Sequence, residues 1–79
     1  MRYEVILPGM GDETAEEATV TFWLVEEGEQ VDEGTELLEL TTDKAAFTLP
    51  SPRRGKLIEK RVEAGEEVRV GEPLCVLEV

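Results

Sequence analysis

Histidine is absent from the 79-residue chain, serine occurs once, at Ser51, and cysteine once, at Cys75. A Ser-His-Asp triad therefore cannot be assembled, and a zinc site has too few Cys and His ligands to draw on. The acidic stretch at 12–17 lacks the alternating Asp or Asn, the Gly and the closing Glu of a calcium loop. A single cysteine excludes an internal disulfide and permits a reducing compartment. Its neighbours Leu74, Val76 and Leu77 place it in an apolar strand, where a free thiol packs as a small hydrophobe.

Long apolar runs are missing too. The longest are the stretches 22–25 and 74–77, whereas a membrane-spanning helix needs about 20 residues. The opening, Met1 to Pro8, breaks off before an apolar stretch of about 7 to 15 residues can form, so no targeting signal is expected in this chain. Positive charge is scarce: eight basic residues face nineteen acidic ones, for a net charge of −11. Such a field repels a phosphate backbone, so nucleic acid is not an expected partner. It favours solubility and steers toward basic surfaces on other proteins. With 41% hydrophobic and 5% aromatic residues, the length fits one small domain over 1–79.

What is present is a repeat. Displaced by 37 positions, Val25–Leu40 aligns with Val62–Leu77 and eight of sixteen pairs are identical, among them Gly28 with Gly65, Val31 with Val68, Gly34 with Gly71 and Leu40 with Leu77. Composition alone would give roughly one or two. Each copy reads as an apolar strand, a Glu-Gly turn, a short Val-centred segment, a second Gly turn and another apolar strand.

Elsewhere a two-residue period sets Val20, Phe22 and Leu24 on one face, then Leu38 with Leu40 and Phe47 with Leu49. Nothing sustains a helical period, and Asp12 to Ala18 is expected to be a loop. Short strands between Gly and Pro turns imply an all-β fold: two small antiparallel sheets packed as a flattened barrel or sandwich, with a quasi-twofold axis between the halves. The segment Thr41–Ala46 then forms a hairpin turn whose symmetry mate is the region of the chain ends, and Lys44 at its tip is expected to point away from them. Pro8 to Gly28 is a step of 20 and Pro50 to Gly65 a step of 15, so the first half is expected to carry an extra surface loop.

With Thr42-Asp43-Lys44-Ala45 followed by Pro50-Ser51-Pro52, the sequence resembles the lipoyl domains of the acyltransferase (E2) component of 2-oxo acid dehydrogenase complexes. The likeness extends through Leu7-Pro8-Gly9-Met10-Gly11, Trp23-Leu24-Val25-Glu26-Glu27-Gly28, Gly34, Leu37, Gly65, Val68, Gly71 and Leu74. It departs at Thr41, where the family commonly has Glu. The resemblance implies a carrier, not an enzyme, with lipoate in amide linkage to Lys44 as a swinging arm. It implies Thr42, Asp43 and Ala45 as recognition residues, with Asp43 hydrogen-bonding nearby amides of the turn. The acidic residues Asp12, Glu13, Glu16 and Glu17 are read either as facing the decarboxylase or as a solvated loop. Implied partners are a lipoate ligase or lipoyl transferase, a thiamine-dependent E1 decarboxylase, the E2 catalytic core and a flavin-dependent E3 dehydrogenase. The isolated domain is expected to be a monomer, in a bacterial cytoplasm or a mitochondrial matrix. The nearest rival is a biotinyl carrier, whose lysine normally lies between two methionines, where this chain has Asp43 and Ala45. A non-modified binding module is a further alternative, and it would be indifferent to Lys44→Arg.

Overall fold

The computed structural model describes residues 1–9 and 16–79. Among them there are eight strands and no helix: β1 (Arg2–Ile6), β2 (Glu17–Trp23), β3 (Gln30–Val31), β4 (Glu36–Thr41), β5 (Ala46–Pro50), β6 (Gly55–Lys60), β7 (Glu67–Arg69) and β8 (Pro73–Glu78). They form two four-stranded sheets, ordered β1-β8-β6-β3 and β5-β4-β2-β7, with every pairing antiparallel. The first holds both chain ends and is called here the terminal sheet; the second holds the turn at 42–45 and is called the hairpin sheet.

The two sheet orders are one pattern used twice, with β1, β2, β3 and β4 standing for β5, β6, β7 and β8. The hydrogen bonds outside the ladders repeat it. The Gly28 N–H donates to the Leu57 carbonyl and the Gly65 N–H to the Val20 carbonyl, each at 2.7 Å. Leu24 N–H meets Leu37 O at 2.8 Å and Arg61 N–H meets Leu74 O at 2.9 Å. Gly28 and Gly65 hold φ values of 95° and 94°, in the left-handed region that costs an L side chain about 1–2 kcal/mol, so the repeated glycines are explained by backbone rather than by space.

The same bonds correct the expected extent of the extra loop. Leu7 N–H donates to Glu72 O and Ser51 N–H to Thr35 O, so Leu7 and Ser51 are mates and Pro8 corresponds to Pro52, not Pro50. From Leu7 to Val20 is a step of 13 and from Ser51 to Leu57 a step of six, so the first half carries seven additional residues. The loop also ends earlier than Ala18: β2 begins at Glu17 and Ala18 is buried.

Leucine and valine fill the space between the sheets. Leu7, Leu37, Leu38, Leu40, Leu57, Leu74 and Leu77 are fully buried, and each such side chain contributes roughly 1.5–3 kcal/mol. Cys75 is buried with them. The expected common face for Val20, Phe22 and Leu24 does not form: Val20 is buried, while Phe22 and Leu24 are exposed at 44% and 42%. A register shift between Val20 and Phe22 against β4 inserts one residue, and a one-residue slip turns every following side chain to the other face. Trp23, opposite Leu38, takes the inward place.

Candidate functional site

Thr41 pairs with Ala46, which leaves Thr42, Asp43, Lys44 and Ala45 as the turn between β4 and β5. One side chain organises it. The Thr42 hydroxyl accepts from the amides of Lys44 (3.3 Å) and Ala45 (3.2 Å) and lies 3.2 Å from the Ala45 carbonyl, to which the Thr42 N–H donates at 2.8 Å. Threonine at the head of a turn serves the amides two and three residues ahead. This corrects the role expected of Asp43: Thr42 holds the turn's amides, and Asp43 is left exposed beside the tip. Lys44 is exposed, and no residue of the turn adopts positive φ.

The mate of this turn is the meeting of the chain ends. Val79 N–H donates to Met1 O at 2.8 Å, the counterpart of the Thr42 to Ala45 bond. A bond that closes a hairpin in one sheet ties the termini together in the other.

Beside the turn lies an open cleft of about 520 Å³ lined by Glu16, Glu17, Ala18, Thr19, Thr41, Thr42, Asp43 and Glu67. Four of these are carboxylates, one of which, Glu17, pairs with Arg69 at 3.2 Å. The structure thus brings Thr42, Asp43, Glu16 and Glu17 to one cleft and sets Ala45 in the turn, while Asp12 and Glu13 lie outside the described residues. Glu67 went unnoticed in the sequence. Its signal is the pairing of β7 with β2, which sets Glu67 opposite Thr19, and that pairing follows from the repeat only once β3 with β6 is recognised as its mate.

Chemically the site offers one primary amine at an exposed tip. Cys75 is remote from such chemistry, because burial pushes its thiol from 9.0 up to about 12 and keeps it protonated.

A family model described as "Biotin-requiring enzyme", the biotin/lipoyl model, matches residues 3–77. The chain is 36% identical over 78 residues to the dihydrolipoyllysine-residue acetyltransferase component of the pyruvate dehydrogenase complex of Bacillus subtilis (strain 168), covering 99% of this chain and 17% of that protein. It is 40% identical over 78 residues to the dihydrolipoyllysine-residue succinyltransferase component of the 2-oxoglutarate dehydrogenase complex of Bartonella vinsonii subsp. berkhoffii, covering 99% and 19%. The chain spans under a fifth of the length of these relatives. The solved lipoyl domain of the 2-oxoglutarate dehydrogenase complex from Azotobacter vinelandii superposes with a TM-score of 0.75 at 25% identity, covering 98% of each chain.

Proposed function

The chain belongs to the biotin/lipoyl family, and from that premise we propose that it is a lipoyl carrier domain whose Lys44 bears lipoate in amide linkage within a 2-oxo acid dehydrogenase complex. The observation that carries the reading is Lys44 itself, an exposed amine on the 42–45 turn. The residues fit the group: an arm that must leave the surface needs an attachment point held by its backbone, and the Thr42 hydroxyl supplies that hold. When bound, lipoate supplies a cyclic disulfide that accepts an acyl group together with two electrons.

The chain's own residues supply presentation and partner choice. Amide formation removes the Lys44 charge, so the carboxylates of the adjoining cleft come to dominate the field at the tip. The partners proposed are a lipoate ligase or lipoyl transferase, a thiamine-dependent decarboxylase, an acyltransferase core and a flavin-dependent dehydrogenase. Tethering raises the effective concentration of the carrier at each of their active sites to about the millimolar range.

The test is intact mass with peptide mapping after incubation with a lipoate ligase, lipoate and ATP. One lipoyl increment on Lys44, missing from Lys44→Arg, is the expected result. No increment on the folded domain, or a biotin increment with a biotin ligase, overturns it. Asp43 and Ala45 beside Lys44 favour lipoate over biotin, whose lysine normally lies between methionines.

A further inference from the structure

The quasi-twofold symmetry makes the outer faces of the two sheets comparable position by position, and they differ in chemistry. Across the terminal sheet one row runs Arg2, Glu78, Lys56, Gln30 and the next runs Glu4, Val76, Glu59. Arg61 spans the second row, 2.8 Å from Glu4 Oε2 and 3.3 Å from Glu59 Oε1, and Val76 between them is 2% exposed. This face is closed by the chain's own charges.

The equivalent rows of the hairpin sheet are Ala46, Thr41, Thr19, Glu67 and then Thr48, Glu39, Phe22. Where the terminal sheet has the clamp of Glu4, Glu59 and Arg61, the hairpin sheet has Thr48, Phe22 and Leu24. Phe22 and Leu24 are large exposed hydrophobics, and Glu39, in the place of Val76, is half-buried with no ion pair among the described residues. Scattered surface hydrophobics need no explanation. Two of them side by side, at the positions where the mate face carries the Arg61 clamp of Glu4 and Glu59, in a chain with 34% charged residues, do.

We propose that the outer face of the hairpin sheet, centred on Phe22 and Glu39, is a docking surface for the ligase that modifies Lys44, and that the ligase meets it with a basic side chain set in an apolar surround. The inference rests on the lipoyl reading of Lys44. Charge complementarity fixes the occupant's chemistry: covering Glu39 without a cation would strand a desolvated carboxylate, so the partner brings the charge that Arg61 supplies on the other sheet. Phe22 stands opposite Glu39, where a guanidinium paired to the carboxylate can also lie over the ring. This chain uses such contacts internally, with Arg53 5.2 Å from the Tyr3 ring and Lys60 5.1 Å from that of Trp23.

Reach fixes the occupant's identity. The row Thr41–Ala46 borders the turn, and the row of Phe22, Glu39 and Thr48 lies two residues further along the strands, roughly 7 Å away. An enzyme acting on the bare lysine amine has no long arm to bridge a gap. It must bring its active site onto the tip, and its rim then covers the strands leaving the tip.

The experiment measures initial rates of lipoylation by a lipoate ligase with lipoate and ATP over a range of domain concentrations. The variants are Phe22→Glu/Leu24→Arg/Thr48→Glu, which copies the clamp that the fold already holds on the other sheet, and Glu39→Lys, with Glu59→Gln as the terminal-sheet control. Both hairpin-sheet variants are expected to lose about tenfold in kcat/KM through a raised KM, and the control to stay within twofold of wild type. Circular dichroism confirms folding, and Glu39→Lys decides the matter alone if the triple variant does not fold. Wild-type modification on Lys44 with both variants within twofold overturns the docking surface. A wild-type domain that takes no lipoate overturns the Lys44 reading and this inference with it, a result distinct from the previous one.

Discussion

The Lys60 ammonium lies 5.1 Å from the centre of the Trp23 ring, and the two residues are symmetry mates, 37 positions apart in the repeat. Two equivalent positions in contact put the quasi-twofold axis between them. Like residues would conflict there, two ammonium groups by repulsion and two indoles by crowding. The halves have diverged to a ring and a cation. The Trp23 Nε1–H donates to Val62 O at 3.0 Å, Glu27 accepts from the Lys60 amide at 2.7 Å, and the Lys60 ammonium meets Glu26 at 3.5 Å.

Trp23→Phe keeps most of the apolar contact but removes the donor to Val62, so a loss of about 1–2 kcal/mol is expected in urea unfolding followed by circular dichroism. Lys60→Met keeps the stem and loses the charge, for about 0.5–1 kcal/mol. Phe still offers a ring face to the cation, so the contact is isolated by Trp23→Leu with Lys60→Met, whose double variant is expected to cost less than the sum of its singles because either change alone removes it. Strict additivity would show that the stacking contributes nothing.

Two glycines separate conformation from space. A Cβ on Gly65 meets nothing within 4 Å, so Gly65→Ala is expected to cost only the positive-φ penalty of about 1–2 kcal/mol, and Gly28→Ala the same. A Cβ on Gly55 falls 2.7 Å from the Glu78 carbonyl oxygen, which is backbone and cannot rotate away. Gly55→Ala therefore has to part β6 from β8 and is expected to cost about 3 kcal/mol. Equal melting shifts for Gly55→Ala and Gly65→Ala would contradict this.

The repeat made the sheet pattern legible because its Gly28/Gly65 and Gly34/Gly71 pairs mark turns that recur at one spacing, all with φ near 94°. Lys44 at a turn was legible for the same reason, since the strands on either side of it had mates. The bulge at Thr21 was not, because Val20-Thr21-Phe22-Trp23 alternates well enough for a regular strand and only the partner β4 shows the slip. Nor was the part played by Thr42. Either Thr42 or Asp43 could cap the turn, and the choice depends on which oxygen reaches the amides of Lys44 and Ala45. The face carrying Phe22 was hidden by the same bulge, which turns outward a residue that the period puts in the core.

The turn and the fold are separable. Lys44→Arg is expected to change stability by less than about 0.5 kcal/mol, as exposed substitutions do, while abolishing lipoylation. Thr42→Val removes the hydroxyl that holds the Lys44 and Ala45 amides, for a stability loss of about 1 kcal/mol, and is expected to slow modification by the ligase severalfold. Unchanged lipoylation of Thr42→Val in an initial-rate assay would show that the ligase shapes the turn itself.

Cys75 supplies a pH dependence whose sign is fixed by its burial. Folding raises the thiol from 9.0 to about 12 through desolvation of the thiolate. Between those values the unfolded chain has lost a proton that the folded chain retains, so the unfolded state binds fewer protons and stability falls as pH rises. Below pH 9 the effect vanishes, because both states hold the proton. The slope approaches about 1.4 kcal/mol per pH unit within that window. Cys75→Ala is expected to be less stable at neutral pH, through the small cavity it leaves, yet to lose less on going from pH 9 to 11 than the wild type does. Every other residue is common to both chains, so the difference between them isolates the thiol. A disulfide reagent at pH 8 should find no thiol in the folded domain and one in denaturant. Rapid reaction of the native protein would mean that β8 opens on the timescale of the assay.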